Sequence, residues 1–466
     1  MAKTNKSTTS RRGRKQTNRA KLKPRDWTLG LSVVHPNAAG IDVGNQEHYV
    51  AIPPNLDPEP VRVFGCFTAE LKALADWLVE RSIETVAMQS TGVYWIPLYD
   101  VLSERGIKVF LVNARDTRNM PGRKTDIQEC QWLLKLHVYG LLKNSFRPEE
   151  HICVMRTLWR QRQQHVSDAS RCIQHMQKVL TQMNLQLANV ISDLSGWTGQ
   201  AILEAILKGE RNPRELAKLR DPRVKASPEV IAQSLEGNWR AELLFVLKQE
   251  FETYATFQNK IRECDQELER HFQTIPQQAD PRELPEQRRN KRPHGNVPEK
   301  MDLREELYRI TGVDLTGIDG MNVLTAQTIL AECGADMSRW ETEKQFISWL
   351  NLAPNNKISG GKIIGHDRRK VVNRAGQALR NAASTLLRSH SYLGAQYRRL
   401  RAALGAPKAI KAMAAKLARI VYRLLKFGQK YVDKGTEFYE QKYRDLQIKI
   451  LTKRAAGLGL QLVQSA

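Results

Sequence analysis

Acidic residues far apart in the sequence have the types and spacing of a divalent-metal site. Asp42 lies near the end of the short apolar stretch 39–44, and Asp126 and Glu129 lie within 122–130. Residues three apart share one face of a helix, so the two later carboxylates should lie close together. Carboxylate oxygens hold Mg²⁺ against a phosphodiester, where the cation activates one oxygen and stabilises another. We therefore predict that Asp42, Asp126 and Glu129 bind Mg²⁺, with Mn²⁺ as an alternative ion.

Each acid also has a simpler structural interpretation. Asp42 would cap the turn before Asn45, and Asp126 would N-cap a helix that runs to His137. Capping by Asp126 is compatible with metal ligation, because a cap uses only one of its oxygens. An unpaired carboxylate in an apolar strand is costly, which favours a bound cation at Asp42.

A fourth ligand is expected directly after the apolar run 85–88, and the residue there is Gln89. A glutamine offers a carbonyl oxygen but no charge, so it binds a metal ion more weakly than glutamate does. The site would then carry one negative charge fewer, and Mn²⁺ would support it better than Mg²⁺.

Ser359 is a candidate nucleophile because it lies between Ile358 and two glycines, within a cluster of basic residues. A serine hydroxyl can attack a phosphate while nearby cations stabilise the charge of the transition state. No local His or Asp is an obvious base, although His366 lies seven residues further on. On these residues alone, a solvent-exposed loop serine is the favoured interpretation. The nearby cations are Lys357, Lys362, Arg368, Arg369 and Lys370.

The composition favours a polyanionic partner. The 466 residues carry a formal charge of +24, and each phosphate neutralised by Lys or Arg releases counterions. Residues 1–27 hold ten Lys or Arg and one acid, which predicts a disordered basic arm. No long apolar run predicts a membrane span, and six scattered cysteines predict reduced thiols rather than zinc ligands. A ribosomal or simply soluble basic protein is the alternative.

The N-terminal part alternates strand and helix signals in an order typical of the ribonuclease H-like fold. We predict strands over 39–43, 49–52 and 61–67, followed by further strands over 84–88 and 107–112. Helices are predicted over 69–81 and 94–105, and a last helix follows the final strand. This order places Asp42 on the first strand, and Asp126 and Glu129 on the last helix.

The remainder of the chain has helical periodicity. Apolar residues recur at helical spacing in 154–190 and 239–272, which would pair as a hairpin or dimerise as a coiled coil. Residues 274–299 contain five prolines and predict a linker. The fold class is thus α/β plus all-α.

The C-terminal region combines a glycine-containing turn with basic helices. Residues 315–326 resemble a helix-hairpin-helix turn, in which backbone N–H groups approach a phosphate, although an ordinary tight turn fits as well. Residues 353–362 read as a polar loop without periodicity. Helices are predicted over 369–390 and 407–431, and we favour nucleic-acid contact over simple solvation for the basic face of the second.

Five ordered motifs resemble the insertion-sequence one-ten family of transposases, in its eleven-eleven subgroup. The resemblance spans about residues 35–445. The motifs are Gly-Ile-Asp-Val-Gly (40–44), Ser-Thr-Gly-Val-Tyr-Trp (90–95), Val-Asn-Ala-Arg (112–115), Pro-Gly-Arg-Lys-Thr-Asp (121–126) and Ile-Ser-Gly-Gly-Lys (358–362).

This resemblance implies a RuvC-like domain with a DEDD acidic tetrad, a coiled-coil connection and a C-terminal transposase domain with a catalytic serine. It implies a recombinase directed by a bridge RNA that pairs with donor and target DNA. In that family, different protomers contribute the two domains of a composite site, so a homodimer or tetramer is expected. A prokaryotic cytoplasmic location, at the nucleoid during reaction, follows.

Carried over by position, the tetrad corresponds to Asp42, Gln89, Asp126 and Glu129, and the nucleophile to Ser359. Two of the four acids therefore depart from DEDD: Glu129 replaces Asp and Gln89 replaces Glu. We expect nucleic-acid contacts from Arg123, Lys124, Lys357, Lys362, Arg368, Arg369, Lys370 and Arg374.

The expected organisation has six segments. They are a basic arm (1–34), a RuvC-like domain (35–148), a helical coiled-coil region (149–273), a linker (274–302), a transposase domain (303–435) and a helical tail (436–466).

Two other functions compete with an RNA-guided recombinase. One is a RuvC-like structure-selective nuclease that uses metal-activated water, with Ser359 a bystander. The other is a non-catalytic nucleic-acid binder, for which Gln89 is the best argument.

Overall fold

A computed structural model describes residues 31–90, 92–113, 125–286, 295–366, 373–428, 435–461 and 463. The chain divides into two compact units, Met1–Phe146 and Arg147–Ala466. Within the described ranges, none of the helices has the length and apolarity that crossing a lipid bilayer requires.

A five-stranded mixed sheet organises the first unit. The strands are β1 (Ala38–Val43), β2 (Glu47–Ala51), β3 (Val61–Gly65), β4 (Thr85–Gln89) and β5 (Lys108–Val112). They are ordered β3-β2-β1-β4-β5. The first three strands pair antiparallel, and β4 and β5 continue the sheet parallel to β1. This mixed α/β arrangement is consistent with the ribonuclease H-like fold.

Helices cover both faces of this sheet. One face packs its Ile, Val and Met side chains against α1 (Thr68–Glu80) and α2 (Trp95–Glu104). The opposite face is covered by α3 (Asp126–Val138), through residues such as Cys130 and Leu134. Burial of apolar area on both faces is what stabilises a sheet of this kind.

The second unit begins with a long antiparallel helical hairpin. Its two arms are α4 (Glu150–Gln182) and α9 (Ala241–Thr274). Between them lie α5 (Leu187–Val190), α6 (Trp197–Leu207), α7 (Pro213–Lys218) and α8 (Pro228–Ser234).

The two long helices pair within one chain, which answers the question that their periodicity left open. They share one apolar core, which includes Met176 and Leu247. Arg162 is buried and pairs with Asp265 across the seam, and His175 lies 3.0 Å from Glu250. A buried charge left without its partner costs several kcal/mol, so this pair fixes the register of the two arms.

Among its described residues, the rest of the second unit is helical apart from one ribbon and connecting turns. Its helices are α10 (Leu303–Thr311), α11 (Val323–Cys333), α12 (Glu343–Trp349), α13 (Arg374–Thr385), α14 (Tyr392–Leu404), α15 (Ala406–Phe427) and α16 (Gly435–Gly457). The ribbon consists of the antiparallel strands β6 (Asn356–Ser359) and β7 (Lys362–His366).

Two sequence-based expectations for this region were wrong. Residues 356–366 form a β-hairpin instead of an irregular loop, because Gly360 and Gly361 adopt the positive φ angles (54° and 74°) of a two-residue turn. The helix expected over 369–390 spans only Arg374–Thr385 among described residues. A separate helix, α14, precedes α15 because Gly405, at φ 78°, interrupts the pattern.

The glycine turn near residue 320 is shaped by packing. It joins α10 to α11, and Asn322 caps α11 by accepting a hydrogen bond from the Thr325 amide at 2.8 Å. Gly320 has a φ of 83°, and a Cβ there would lie 2.8 Å from the Ala382 carbonyl oxygen of α13. Close contact between two backbones therefore explains this glycine without a bound phosphate.

Candidate active site

Strand β1 and helix α3 approach each other closely at Gly40, and this contact places Asp42. A Cβ at Gly40 would overlap the Leu134 amide nitrogen and the Cys130 carbonyl oxygen, both in the α3 backbone. Side chains alternate along a strand, so Asp42 lies on the same face as Gly40. The sequence of β1 therefore directs its one carboxylate towards the helix that carries the other two.

The first turn of α3 presents Asp126 and Glu129. Thr125 is the N-cap, and its hydroxyl accepts a hydrogen bond from the Gln128 amide at 3.3 Å. Asp126 is consequently the first helical residue rather than the cap, contrary to the simpler interpretation of the sequence. Two carboxylates in a first turn also interact favourably with the positive end of the helix dipole.

The three carboxylates lie in one another's electric field. Burial is the largest cause that raises the pKa of Asp42, and the charges of Glu129 and Asp126 add to it, giving about 6. Throughout the described part of the chain, none of the three forms an ion pair with Lys or Arg. Among the described residues, no Lys or Arg side chain thus compensates the negative charge of this cluster.

Gln89 completes the cluster at the end of β4. Its side-chain amide donates a hydrogen bond to Oε1 of Glu129, and its side chain is largely buried. Parallel pairing of Ile41 with Met88 puts Gln89 beside Asp42 in the sheet. The structure therefore brings together all four of the positions that sequence reasoning selected.

These side chains are of the type that binds a hard divalent cation, although they lie too far apart to coordinate one in this arrangement. Three carboxylates and an amide supply the oxygen ligands that Mg²⁺ or Mn²⁺ prefers. In the ranges that the structure describes, no three His, Cys, Asp or Glu side chains are grouped tightly enough to hold a metal ion. Binding would require the carboxylates to draw closer together.

Tyr49 and Glu47 border the cluster and were not selected from the sequence. Tyr49 pairs directly with Asp42 across the antiparallel strands, and its hydroxyl donates to Glu47 at 3.1 Å. That hydrogen bond is the largest cause that raises the pKa of Tyr49, and the charges of Asp126 and Asp42 contribute. The signal that could have found Tyr49 is the register of the first β-hairpin.

Ser359 lies at the end of β6, in the second unit, and is exposed. It pairs with Lys362 across the two-glycine turn. Residues two apart on a strand share a face, as do directly paired residues. Lys357, Ser359 and Lys362 therefore lie on one face of the ribbon.

The other expected nucleic-acid contacts divide into described and undescribed positions. Arg374 is exposed at the start of α13. Arg123, Lys124, Arg368, Arg369 and Lys370 lie outside the described residues, as do residues 1–30 of the basic arm.

Part of the basic face of α15 is engaged within the protein. Arg423 donates to Glu343 at 2.8 Å, and Arg419 lies 3.6 Å from the same carboxylate. Lys426 donates to the carbonyl oxygens of Trp340 and Glu341. These cations hold α15 against α12 and the residues before it, which reduces the charge available for a phosphate backbone.

Two family models match separate parts of the chain. Residues 39–185 match a family model described as transposase, the DEDD domain of IS110 elements. Residues 314–398 match a second model, described as the transposase IS116/IS110/IS902 family. The chain carries two transposase domains of the IS110 family. No curated protein matches the chain.

These two matches support a transposase activity for the chain, and transposition acts on DNA. The first matched range includes Asp42, Gln89, Asp126 and Glu129, and the second includes Ser359. A DEDD domain in such an enzyme indicates dependence on a divalent metal ion. The acidic cluster (Asp42, Asp126 and Glu129) and the serine ribbon (β6 and β7, which carry Ser359) therefore lie within separate transposase domains.

Proposed function

We propose that this transposase is an RNA-guided recombinase that cuts and rejoins DNA at the ends of an insertion element, with Ser359 as nucleophile. The observation that carries the proposal is the convergence of Asp42, Asp126 and Glu129 at one end of a sheet. Three acids without cationic partners among described residues are costly to maintain unless a cation binds there.

The acidic cluster would position the reacting phosphate. A bound Mg²⁺ or Mn²⁺ supplies charge neutralisation at the phosphate oxygens. Asp42, Asp126 and Glu129 would hold that ion, and Gln89 would fix the orientation of Glu129 through its amide. Tyr49 and Glu47 would line the approach, because they lie beside Asp42 on the neighbouring strand.

The serine ribbon would carry out the covalent step. Oγ of Ser359 bonds to phosphorus while one bridging P–O bond breaks, and the hydroxyl proton passes to a base. Lys357 and Lys362, which share the ribbon face of Ser359, would stabilise the negative charge on the phosphoryl oxygens. The product is a serine–DNA ester, which attack by a strand hydroxyl then resolves without further energy input.

Further partners follow from the family resemblance. A bridge RNA would pair with donor and target DNA, and a homo-oligomer would bring the acidic cluster of one protomer to the serine ribbon of another. The charge of +24 supports contact with several nucleic-acid strands. A prokaryotic cytoplasmic location, at the nucleoid, would match these substrates.

A covalent-adduct assay tests the proposal. End-labelled element DNA, the RNA that copurifies with the protein and Mg²⁺ should yield a labelled protein band on a denaturing gel. Ser359→Ala should eliminate that band while leaving DNA and RNA binding intact. Ser384→Ala is a matched control, because Ser384 is an exposed serine of the same unit. Full recombination by Ser359→Ala would disprove the nucleophile assignment.

A hydrolytic nuclease is the second candidate. The observation that favours it is that the Ser359 hydroxyl, which is exposed, has no hydrogen-bonded base among the described residues. Water activated at the acidic cluster would then cut DNA and leave no protein–DNA ester. Strand cleavage without any adduct, and at equal rates in Ser359→Ala, would support this alternative.

A further inference from the structure

Four basic side chains lie close together on two helices of the second unit. Lys416, Arg419 and Arg423 of α15 are three and four residues apart, so they share one face of that helix. Lys442 of α16 lies close enough for its charge to act on Lys416. We call these four residues the cation cluster.

Packing against α14 places the start of α16, and with it Lys442. The Thr436 hydroxyl donates a hydrogen bond to the His390 carbonyl oxygen at 2.9 Å. The ring of Tyr439 meets the ring of Tyr392 edge-on, with centroids 4.9 Å apart. Lys442 follows Tyr439 by less than one helical turn, so the same contacts hold its backbone in position.

The cations of this cluster outnumber the acidic groups that they contact. Glu343 of α12 accepts a hydrogen bond from Arg423 at 2.8 Å and lies 3.6 Å from Arg419, so two guanidinium groups share a single carboxylate. Within the described ranges, neither Lys416 nor Lys442 forms an ion pair with an acidic side chain. The cluster therefore keeps most of its positive charge.

Lys416 is the least solvated member of the cluster. It is half-buried, whereas Arg419, Arg423 and Lys442 are exposed. Burial is the largest cause that lowers the pKa of Lys416, and the charges of the other three cations lower it further, against an opposing contribution from Glu343. Like charges held this close destabilise one another, and an anion bound among them removes that cost.

We propose that the cation cluster binds consecutive phosphates of the DNA backbone. This inference rests on the proposed function in taking DNA as the ligand, but it does not depend on Ser359 as the nucleophile. Guanidinium groups present parallel N–H donors to phosphate oxygens, and lysine adds a compact charge. From Lys416 to Arg423 the helix rises by about 10 Å, which corresponds to about three nucleotide steps along a duplex.

Such a site would hold DNA without reading its sequence. Contacts to phosphates fix the position of a duplex and carry no direct sequence information. This property suits the proposed recombinase, in which a bridge RNA selects the sequence by base pairing. The cluster would then supply affinity that is the same for the element end and for any target.

The salt dependence of DNA binding tests the proposal. Full-length Ser359→Ala protein, which should not cleave, is titrated with a fluorescent element-end duplex and with a duplex of scrambled sequence at several salt concentrations. Adding Lys416→Gln with Lys442→Gln should weaken the binding of both duplexes equally, by roughly tenfold at physiological salt. The slope of log affinity against log salt concentration should become shallower by about 1 to 2. An unchanged slope overturns the proposal.

Matched variants separate a phosphate site from overall charge. Lys416→Arg with Lys442→Arg keeps both charges and should keep the affinity and the slope. Lys178→Gln with Lys225→Gln removes two lysines that are exposed on the helical hairpin and the helices between its arms, and it should leave the slope unchanged. An equal loss in that control overturns the proposal, because the effect would then follow from net charge alone.

A single change at the exposed position guards against a folding defect. Lys442→Gln alone should lower the slope by about 1 with an unchanged melting temperature. The copurifying RNA, titrated in the same way, identifies the ligand. A loss of affinity confined to that RNA, with DNA binding unchanged, overturns the proposal because the cluster would then hold RNA.

Failure of this proposal is separable from failure of the proposed function. If wild-type protein forms no serine–DNA adduct but the two lysines set the salt slope, the phosphate site stands without the covalent step. If the adduct forms and the slope does not respond to the lysine substitutions, the nucleophile assignment holds and the phosphate site is overturned.

Discussion

The side-chain amide of Gln89 donates a hydrogen bond to the carboxylate of Glu129. An amide at this position does two things that a carboxylate could not: it satisfies one oxygen of Glu129, and it adds no further negative charge. The cluster in the absence of metal is therefore less strained than a tetrad of four acids would be. The expected cost is weaker attraction for a divalent cation.

Gln89→Glu should reverse this balance. A fourth carboxylate beside Glu129 raises the local negative charge, so Mg²⁺ and Mn²⁺ should bind several-fold more tightly and stability in EDTA should fall by ~1–2 kcal/mol. Isothermal titration and thermal melts with and without metal measure both effects. Gln128 is exposed and lies in the same helical turn as Glu129, so Gln128→Glu adds one negative charge at the surface. This control should change neither the metal affinity nor the stability in EDTA appreciably. Equal metal affinity in Gln89→Glu and wild type would contradict the argument.

Asp42→Asn should stabilise the metal-free protein and abolish DNA cleavage. The pKa of Asp42 is raised to about 6 in the folded protein, from 3.8. Its ionisation therefore opposes folding: the stability that its neutral form provides is fully present below pH 3.8 and is lost as the pH rises through 6. At pH 7.5 in EDTA the variant should gain about 1 kcal/mol, after allowance for partial solvation.

The same comparison has an internal control. At pH 3.5 to 4, where the wild-type carboxyl is itself mostly protonated in the folded protein, the advantage of Asp42→Asn should vanish. Thermal melts of both proteins at the two pH values provide the measurement. A variant less stable than wild type at pH 7.5 would show that Asp42 is held by favourable contacts instead.

Gly40→Ala should displace α3 from β1. The added methyl group meets backbone atoms of Leu134 and Cys130, which cannot rotate away as a side chain can. We expect a loss of roughly 2–3 kcal/mol in the free energy of unfolding and a loss of cleavage, because Asp126 and Glu129 move with the helix. Urea titration and a cleavage assay report the two effects. Gly295→Ala, which meets no atom within 4 Å, is the control.

His137 should make the first unit sensitive to acid. Burial, with a contribution from His35, lowers its pKa to about 4, and the ring lies 3.0 Å from the Thr85 hydroxyl. Because the unfolded chain binds the proton at about pH 6.5, stability is intact above that value and falls as the pH drops towards 4, by ~2–3 kcal/mol.

A variant that cannot be protonated separates the loss of stability caused by His137 at low pH from the gain of stability that protonation of Asp42 gives over the same pH range. His137→Gln retains a polar group near Thr85 but cannot be protonated, so wild type should lose stability relative to it between pH 6.5 and 4. Urea unfolding at several pH values measures the difference. A constant difference across that range would exclude His137 as the cause.

The acidic cluster could be predicted from the sequence because local patterns indicate the strand and the helix that carry its residues. Alternation and apolar runs indicated the strands and helices of the first unit, and spacing indicated that Asp126 and Glu129 share a helix face. The sequence did not predict the hydrogen bond of Gln89 or the position of Tyr49 beside Asp42. They depend on strand register and on the packing of α3, which arise from contacts between distant residues.

The second unit was harder to interpret for a different reason. The ribbon 356–366 consists of strands of four and five residues, too short for an alternation signal, and the two-glycine turn was the one local indication. The pairing of α4 with α9 could not be deduced, since apolar stripes look the same within and between chains. The engagement of Arg419 and Arg423 by Glu343 likewise needs the tertiary structure.

The internal pairing of α4 with α9 makes that hairpin a molecular spacer. At about 1.5 Å per residue, a helix of this length extends about 50 Å, which equals the length of about 15 base pairs of DNA. The short helices α5 to α8, at the far end of the hairpin, are thereby kept at a fixed distance from its base. Deleting seven residues from each arm, in register, would shorten that span by about 10 Å.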